Sequence, residues 1–350
     1  MSKPIRNITR SMRGRNIVNR NPLPPTSRVE YIIPSDQVKN INEEKNNSML
    51  NYQQIIEIYE RNKIDYNNLK NTSEFNIIDS NDVDVSIIIP VKDREDFNFP
   101  LVSHLKDAMS AFNEKTYSIT FVEHSDVSTH RDLCNNNTNH IWIKKNSSEF
   151  FNKCLAMNVG AFFSNRAKHY LFHDIDLLVD KNFFINIFKN LSRVNDGCAL
   201  QAFGGRKVVV MNNELTNRVI KNKTKIEEVI PGESAAPYST PGAPGGSIFI
   251  SHDSFYNIGG FDPEFFHSYS CEDAFFYHKA EVRVGIQGCD DPLVDVFHMD
   301  HPRTNGSDNP DMANQYRINA SFKSMNIKDK IKFIDYISNK IKSRLDEKGI

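Results

Sequence analysis

The chain has 350 residues, 39% of them hydrophobic, with Lys+Arg 43 against Asp+Glu 44 and a net charge of -1. That size and apolar content suffice for one large domain or two small ones, and the balanced charge excludes a general polyanion- or membrane-surface-binding protein. Five cysteines, Cys134, Cys154, Cys198, Cys271 and Cys289, contain no C-x-x-C pair, which excludes a disulfide framework or a thiolate metal site and points to a reducing compartment.

Residues 1–47 read as a basic, largely extended tail: Lys3, Arg6, Arg10, Arg13, Arg15, Arg20 and Arg28 appear with no acid among the first 28 residues, interrupted by NPLPPTS. Such tails are commonly just solvated; docking on nucleic-acid phosphates or an anionic membrane is the alternative that the charge allows. No hydrophobic signal core follows, and no apolar run reaches the length of a membrane span, so a soluble cytoplasmic protein is expected.

From Ser48 to about Tyr66 the spacing of Tyr52, Ile55, Ile56 and Tyr59 predicts a packing helix capped by Asn47 or Ser48, and an Asn-rich linker completes residues 48–80. A β-branched strand, Val83–Ile89, stopping at Pro90, then opens a core domain over residues 81–318. Lys92, Asp93 and Arg94 occupy the loop beyond it, either as a solvated turn or as a wall of a nucleotide pocket with the cations toward phosphate. A helix at about Leu101–Phe112, strands at Tyr117–Glu123 and Ile141–Ile143, and a helix at about Phe151–Ser164 continue the alternation of an α/β fold with a Rossmann-like, mostly parallel sheet. Neither common glycine-rich phosphate loop occurs, so a metal ion is expected to hold any phosphates.

The segment YLFHDIDLLVD, Tyr170–Asp180, places an Asp-Ile-Asp triplet where an aromatic strand ends. Strand alternation sends Asp174 and Asp176 to one side and Ile175 to the other, forming an oxygen-rich site suited to Mg²⁺ or Mn²⁺ on a nucleotide diphosphate. Equally, such a triplet often does no more than cap the next helix. A helix over about Asn182–Leu191 and a strand ALQAF follow, then a long polar segment, Val208–Pro244, that reads either as a lid or acceptor platform or as a surface insertion. Gly245 and Gly246 precede a strand, Ser247–Ser251, and would let a ligand approach the backbone.

Glu272 and Asp273 begin a helix carrying Phe275, Phe276 and Ala280; they either complement the helix dipole or include a general base. A strand, Leu293–Phe297, delivers His298 and His301, whose imidazoles beside carboxylates would favour Mn²⁺ over Mg²⁺, unless they are structural. Residues 319–350 read as C-terminal packing helices.

Four ordered blocks within Val83–Arg303 resemble the beta-1,4-galactosyltransferase-like glycosyltransferases, a GT-A fold family that includes N-acetylgalactosaminyl and chondroitin-polymerising relatives. In IIIPVKDRE the resemblance implies nucleotide contacts for Pro90, Val91, Lys92 and Arg94. In FNKCLAMNVG it sets Phe151 and Lys153 beside the uracil, with Lys153 where Arg is usual. FHDIDLL makes Asp176 the direct metal ligand and sets Asp174 against the donor sugar. In the fourth block, the Gly-Gly pair joins the donor pocket, Asp273 falls on the catalytic base, Glu272 on an acceptor-orienting residue and Tyr269 on an acceptor-contacting tryptophan.

His301 matches the family's histidine ligand, and His298 stands where a methionine ligand is usual. His267, Ser270, Cys271 and Ala274 depart from the family pattern, so its acceptor is not implied; Ala243 and Pro244 replace bulky aromatics, which leaves room for an N-acetyl group. The implied activity is inverting, Mn²⁺-dependent (or Mg²⁺-dependent) transfer from a UDP-sugar to a hydroxyl acceptor on a carbohydrate, glycoconjugate or other molecule. Animal members sit in the secretory pathway, whereas the absence of a signal here points to a bacterial, viral or phage enzyme. A metal-dependent nucleotidyltransferase or hydrolase, and a silent carbohydrate-binding relative, are the alternatives.

Overall fold

The structure is a computed structural model that describes residues 49–78, 81–132, 138–202, 208–223, 226, 237–238, 245–268, 270–288, 296–302 and 309–346. Helices α1 (Tyr52–Arg61) and α2 (Tyr66–Thr72) come first, followed by the short strand β1 (Glu74–Asn76). The single helix expected from Ser48 is thus two. Asn51 caps α1 reciprocally with Gln54, and Asp65 accepts from Asn67 and Asn68 N–H to restart the chain as α2. The expected caps Asn47 and Ser48, like the whole basic tail, lie outside the described residues.

Strand β2 (Val83–Val91), helix α3 (Asn98–Met109), strands β3 (Tyr117–Ser125) and β4 (Asn139–Lys144), helix α4 (Lys153–Phe163) and strand β5 (Ala167–His173) form the parallel half of the sheet. β2 continues through Pro90, where the strand was expected to stop. Its pairing with β5 ends at Ile88, so Pro90 lies past the two-sided stretch, where a missing N–H is tolerated. Next come β6 (Leu177–Val179), α5 (Lys181–Lys189), α6 (Leu191–Asn195), β7 (Ala199–Gln201), β8 (Val208–Val210), α7 (Asn213–Asn222), β9 (Pro237–Tyr238), β10 (Ser247–Ser251) and α8 (His252–Asn257). The chain closes with α9 (Glu272–Arg283), β11 (Ile286–Gly288), β12 (Val296–His298), α10 (Met312–Ser324) and α11 (Ile327–Asp346).

The main sheet has eight strands in the order β1-β4-β3-β2-β5-β10-β7-β11. Only β1 and β10 run against the other six, so this is the expected α/β fold with a mostly parallel sheet. Strand alternation sorts the core into two layers. Ile88, Tyr170, Phe172, Ile248 and Ile250 face α4, α8, α9 and α11, while Ile87, Ile89, Leu171 and Phe249 face α3 and α5. Each fully buried large side chain contributes roughly 1.5–3 kcal/mol. Helix α4 comes so close to β2 that a Cβ on Gly160 would sit 2.4 Å from Ile88 Cγ2.

The outer helices belong to the same packed unit. Ile55 and Tyr59 of α1 share a core with Phe333, Ile334 and Ile337 of α11, the Leu50 N–H donates to Ser321 Oγ, and the Tyr336 hydroxyl donates to Glu60. The C-terminal helical region begins at Met312, ahead of the expected Asn319. Among the described residues no helix is long and apolar enough to cross a membrane, and Cys154, Cys198 and Cys271 are free thiols.

A second sheet, β6-β12-β8-β9, sits beyond the end of β5. Part of the polar segment read as a loop is therefore regular: β8 joins this sheet, and α7 buries Leu215, Thr216 and Val219. The rest of that segment, with Ala243 and Pro244, lies largely outside the described residues, as do residues 293–295 of the strand expected at Leu293–Phe297.

Candidate active site

The Asp-Ile-Asp triplet is a turn between β5 and β6, not a continuation of the strand. The expected two-faced alternation therefore fails: Ile175 and Asp176 are both buried, and the two carboxylates engage different partners. The helix-capping alternative fails as well, because Asp180 caps α5 by accepting from the N–H groups of Asn182 and Phe183. Both carboxylates are thus left for other work.

The second sheet brings the histidines to the turn. Antiparallel pairing of β12 with β6 sets His298 opposite Leu177, and the Met299 N–H donates to the Asp176 carbonyl at 2.8 Å. As a result one ligand atom each from Asp176, His298 and His301 lies within 4.8 Å of the others. His301 Nε2 is 3.0 Å and His298 Nε2 3.8 Å from Asp176 Oδ2. The Arg94 guanidinium stands on that same oxygen at 2.6 Å. Burial alone would raise the Asp176 pKa, but the His301 hydrogen bond and the charges of His298, Arg94 and His301 hold it far below the usual carboxylate range.

These residues fit a divalent ion. Both ring nitrogens of His301 face oxygen acceptors, Pro302 O at 2.9 Å from Nδ1 and Asp176 Oδ2 at 3.0 Å from Nε2. A neutral imidazole has one N–H, so the second contact calls for a positive centre, either a proton or a metal ion. One carboxylate with two imidazoles is a donor set suited to Mn²⁺.

A second cluster lies alongside. Lys153, the first residue of α4, is delivered by the Asn152 cap, whose side chain accepts from the Leu155 N–H. Its Nζ is 2.9 Å from Asp174 Oδ1, 3.4 Å from the Gly245 carbonyl oxygen and 3.8 Å from Asp273 Oδ1. Burial would lower the Lys153 pKa, but Asp174, Asp273 and Glu272 together push it well above the usual value, so one ammonium serves two carboxylates. Burial raises the Asp273 pKa to about 7; Lys153 opposes the shift, and the charges of Glu272 and Asp174 add to it. Asp273 Oδ1 is buried and accepts no hydrogen bond.

The two glycines are required by close approach. A Cβ on Gly245 would lie 1.5 Å from Asp273 Oδ2, and one on Gly246 would lie 2.4 Å from Leu177 Cδ1. The Gly246 carbonyl accepts from the Asp174 N–H at 2.9 Å, which locks β10 to the triplet.

The other expected site residues are more dispersed. Glu272 is buried at the start of α9, where its carboxylate accepts from the Ser270 N–H. Phe151 is half-buried with its ring 6.3 Å from that of His124. Pro90 and Val91 are buried at the end of β2, and Lys92 Nζ is 3.9 Å from Asp93 Oδ2. Tyr269 lies outside the described residues. The sequence reading missed Glu123, His130 and His140, which form a buried polar group behind the Lys92–Arg94 loop, and His124, whose Nδ1 accepts from the Asn152 N–H. The only available signal was polar residues, Glu-His-Ser, where the apolar run of β3 should have continued.

No protein-family model and no curated protein matches the chain. Among solved structures it is similar to the catalytic domain of Drosophila beta1,4-galactosyltransferase 7 in complex with xylobiose, at 14% identity and a TM-score of 0.37, over 61% of this chain and 66% of that one. It is also similar to residues 1–349 of S. aureus TarS in complex with UDP-GlcNAc, at 14% identity and a TM-score of 0.46, over 73% of this chain and 71% of that one. A third similar structure is GalNAc-T7 with UDP, GalNAc and Mn²⁺, at 14% identity and a TM-score of 0.42, over 65% of this chain and 45% of that one.

Proposed function

We propose that the chain is a divalent-metal-dependent glycosyltransferase that moves a hexose or N-acetylhexosamine from a UDP-sugar to an acceptor hydroxyl, with inversion at the anomeric carbon. The observation that carries this reading is that the Asp-Ile-Asp turn joins two clusters: Asp176 gathers His298 and His301, while Asp174, two residues away, shares the cation Lys153 with the independent buried carboxylate Asp273. Four ordered sequence blocks that resemble the beta-1,4-galactosyltransferase-like enzymes lead to the same residues.

Mn²⁺ held by Asp176, His301 and His298 would supply positive charge to the departing diphosphate. Arg94, already at Asp176, adds a fixed guanidinium on that side. Asp273, with an unoccupied acceptor oxygen and a pKa near 7, takes the proton of the acceptor hydroxyl. The new C–O bond forms as the bond from the anomeric carbon to phosphate oxygen breaks, and UDP leaves with the electron pair. Asp174, paired with Lys153, would face the donor sugar. Gly245 and Gly246 keep the space beside it free of side chains.

The test is a panel of UDP-sugars with Mn²⁺, reading released UDP, with nucleoside triphosphates as the contrasting substrates. Slow Mn²⁺-dependent hydrolysis of one UDP-sugar, accelerated by the right acceptor, is expected. Cleavage of triphosphates alone would overturn the assignment in favour of nucleotidyl transfer or hydrolysis.

A further inference from the structure

Asp93 and Arg94 are consecutive residues with left-handed backbones, φ 58° and 68°, a conformation disfavoured for any residue with a Cβ. Something must hold them, and the hold is on the Asp93 carbonyl. His130 Nε2 lies 3.1 Å from that oxygen. A carbonyl only accepts, so Nε2 carries the proton. The His130 ring is itself held: Nδ1, 3.0 Å from the end of the Asn98 side-chain amide, accepts once that amide turns its NH2 toward it, and the ring stacks on Phe121 with centroids 6.4 Å apart.

Behind His130 stands Glu123, fully buried at the end of β3. It accepts from Ser125 and Ser128 hydroxyls, from the Thr129 and His130 N–H groups, and from His140 Nε2 at 2.9 Å. Burial would raise its pKa, but these donors hold it at about 2, so the carboxylate is a permanent buried anion that shapes the 125–130 turn. This network reaches neither Asp176 nor Asp273, yet it ends on the residue next to Arg94.

We propose that His130, ordered by Glu123, is a positioning residue that fixes the left-handed Asp93–Arg94 turn and so stands the Arg94 guanidinium at Asp176. The part of the test that uses nucleotide rests on the donor-site reading above; the part that uses the ligand-free protein does not.

His130→Phe keeps ring volume and stacking but removes the donor, whereas His130→Gln keeps an N–H donor. In the ligand-free protein the side-chain NMR signal of Arg94, assigned with Arg94→Lys, is expected to exchange slowly with water in wild type and His130→Gln, and quickly in His130→Phe. With Mn²⁺ present, UDP affinity is expected to fall about tenfold in His130→Phe, the lower end of what losing a supporting partner costs. It should fall no further when His130→Phe is added to Arg94→Ala, because the two act through one group. An Arg94 signal unchanged in His130→Phe, or an equal loss of UDP affinity in both backgrounds, would overturn the proposal. Should His130→Phe not fold, Glu123→Gln, which loosens His130 while keeping its ring, takes its place in both measurements. Wild-type protein that binds no UDP would overturn the donor-site reading instead, and the Arg94 exchange would still decide the role of His130.

Discussion

Gly245 lies so close to Asp273 that a Cβ placed on it would fall 1.5 Å from the carboxylate oxygen Oδ2. Gly245→Ala must therefore push the Asp273 side chain aside. The fold loses little, since a short side chain can turn. Chemistry loses much, since misplacing a catalytic group by an ångström costs on the order of 10²-fold. The expected outcome is a turnover drop of that size with an unchanged melting temperature and unchanged UDP binding, measured by UDP release, calorimetry and thermal unfolding.

The rate should depend on the ionisation of Asp273. A base acts only when deprotonated, and burial has raised this group to about 7. Turnover should therefore rise with pH up to about 7 and level off above it. Lys153 is the cation that opposes the shift, so Lys153→Gln should move the rising limb to higher pH, whereas a lysine that merely bound phosphate would leave it in place. A pH–rate profile of the two proteins checks this.

Asp273→Asn should abolish transfer, a loss of about 10²–10⁴-fold for a general base, while UDP and Mn²⁺ still bind. Equal activity in the variant, measured by UDP release at saturating donor, would remove Asp273 from the role of base.

Away from the site, Lys279 and Asp262 form a buried ion pair at 2.5 Å, and Lys279 Nζ also donates to the Gly260 carbonyl. Removing one partner strands a buried charge, so Lys279→Met should cost about 3–5 kcal/mol. Adding Asp262→Leu to that variant should recover much of the loss, as denaturant titration would measure.

Much of this arrangement was legible in the sequence. The apolar runs of β2, β3, β5 and β10 marked the sheet, and Gly245, Gly246, Asp273, Asp176 and His301 were each singled out before any geometry. Local pattern failed where long-range pairing decides. The single side assigned to Asp174 and Asp176 assumed a strand, but the chain turns just after His173 because β6 leaves for the second sheet. That sheet is built from three-residue strands and one two-residue strand, too short to show a period. The Glu123–His130 network was invisible for another reason: its buried charge is tolerated only through donors contributed by β4 and the 125–130 turn, which no window of sequence brings together.

The most direct measurement is anomalous diffraction at the manganese edge from crystals soaked with Mn²⁺ and UDP. The expected result is one peak bonded to Asp176 and His301, with the diphosphate on it and Arg94 turned toward phosphate. A manganese peak elsewhere, with both residues unligated and the nucleotide remote from Asp273, would contradict the assignment of this site to metal-dependent sugar transfer.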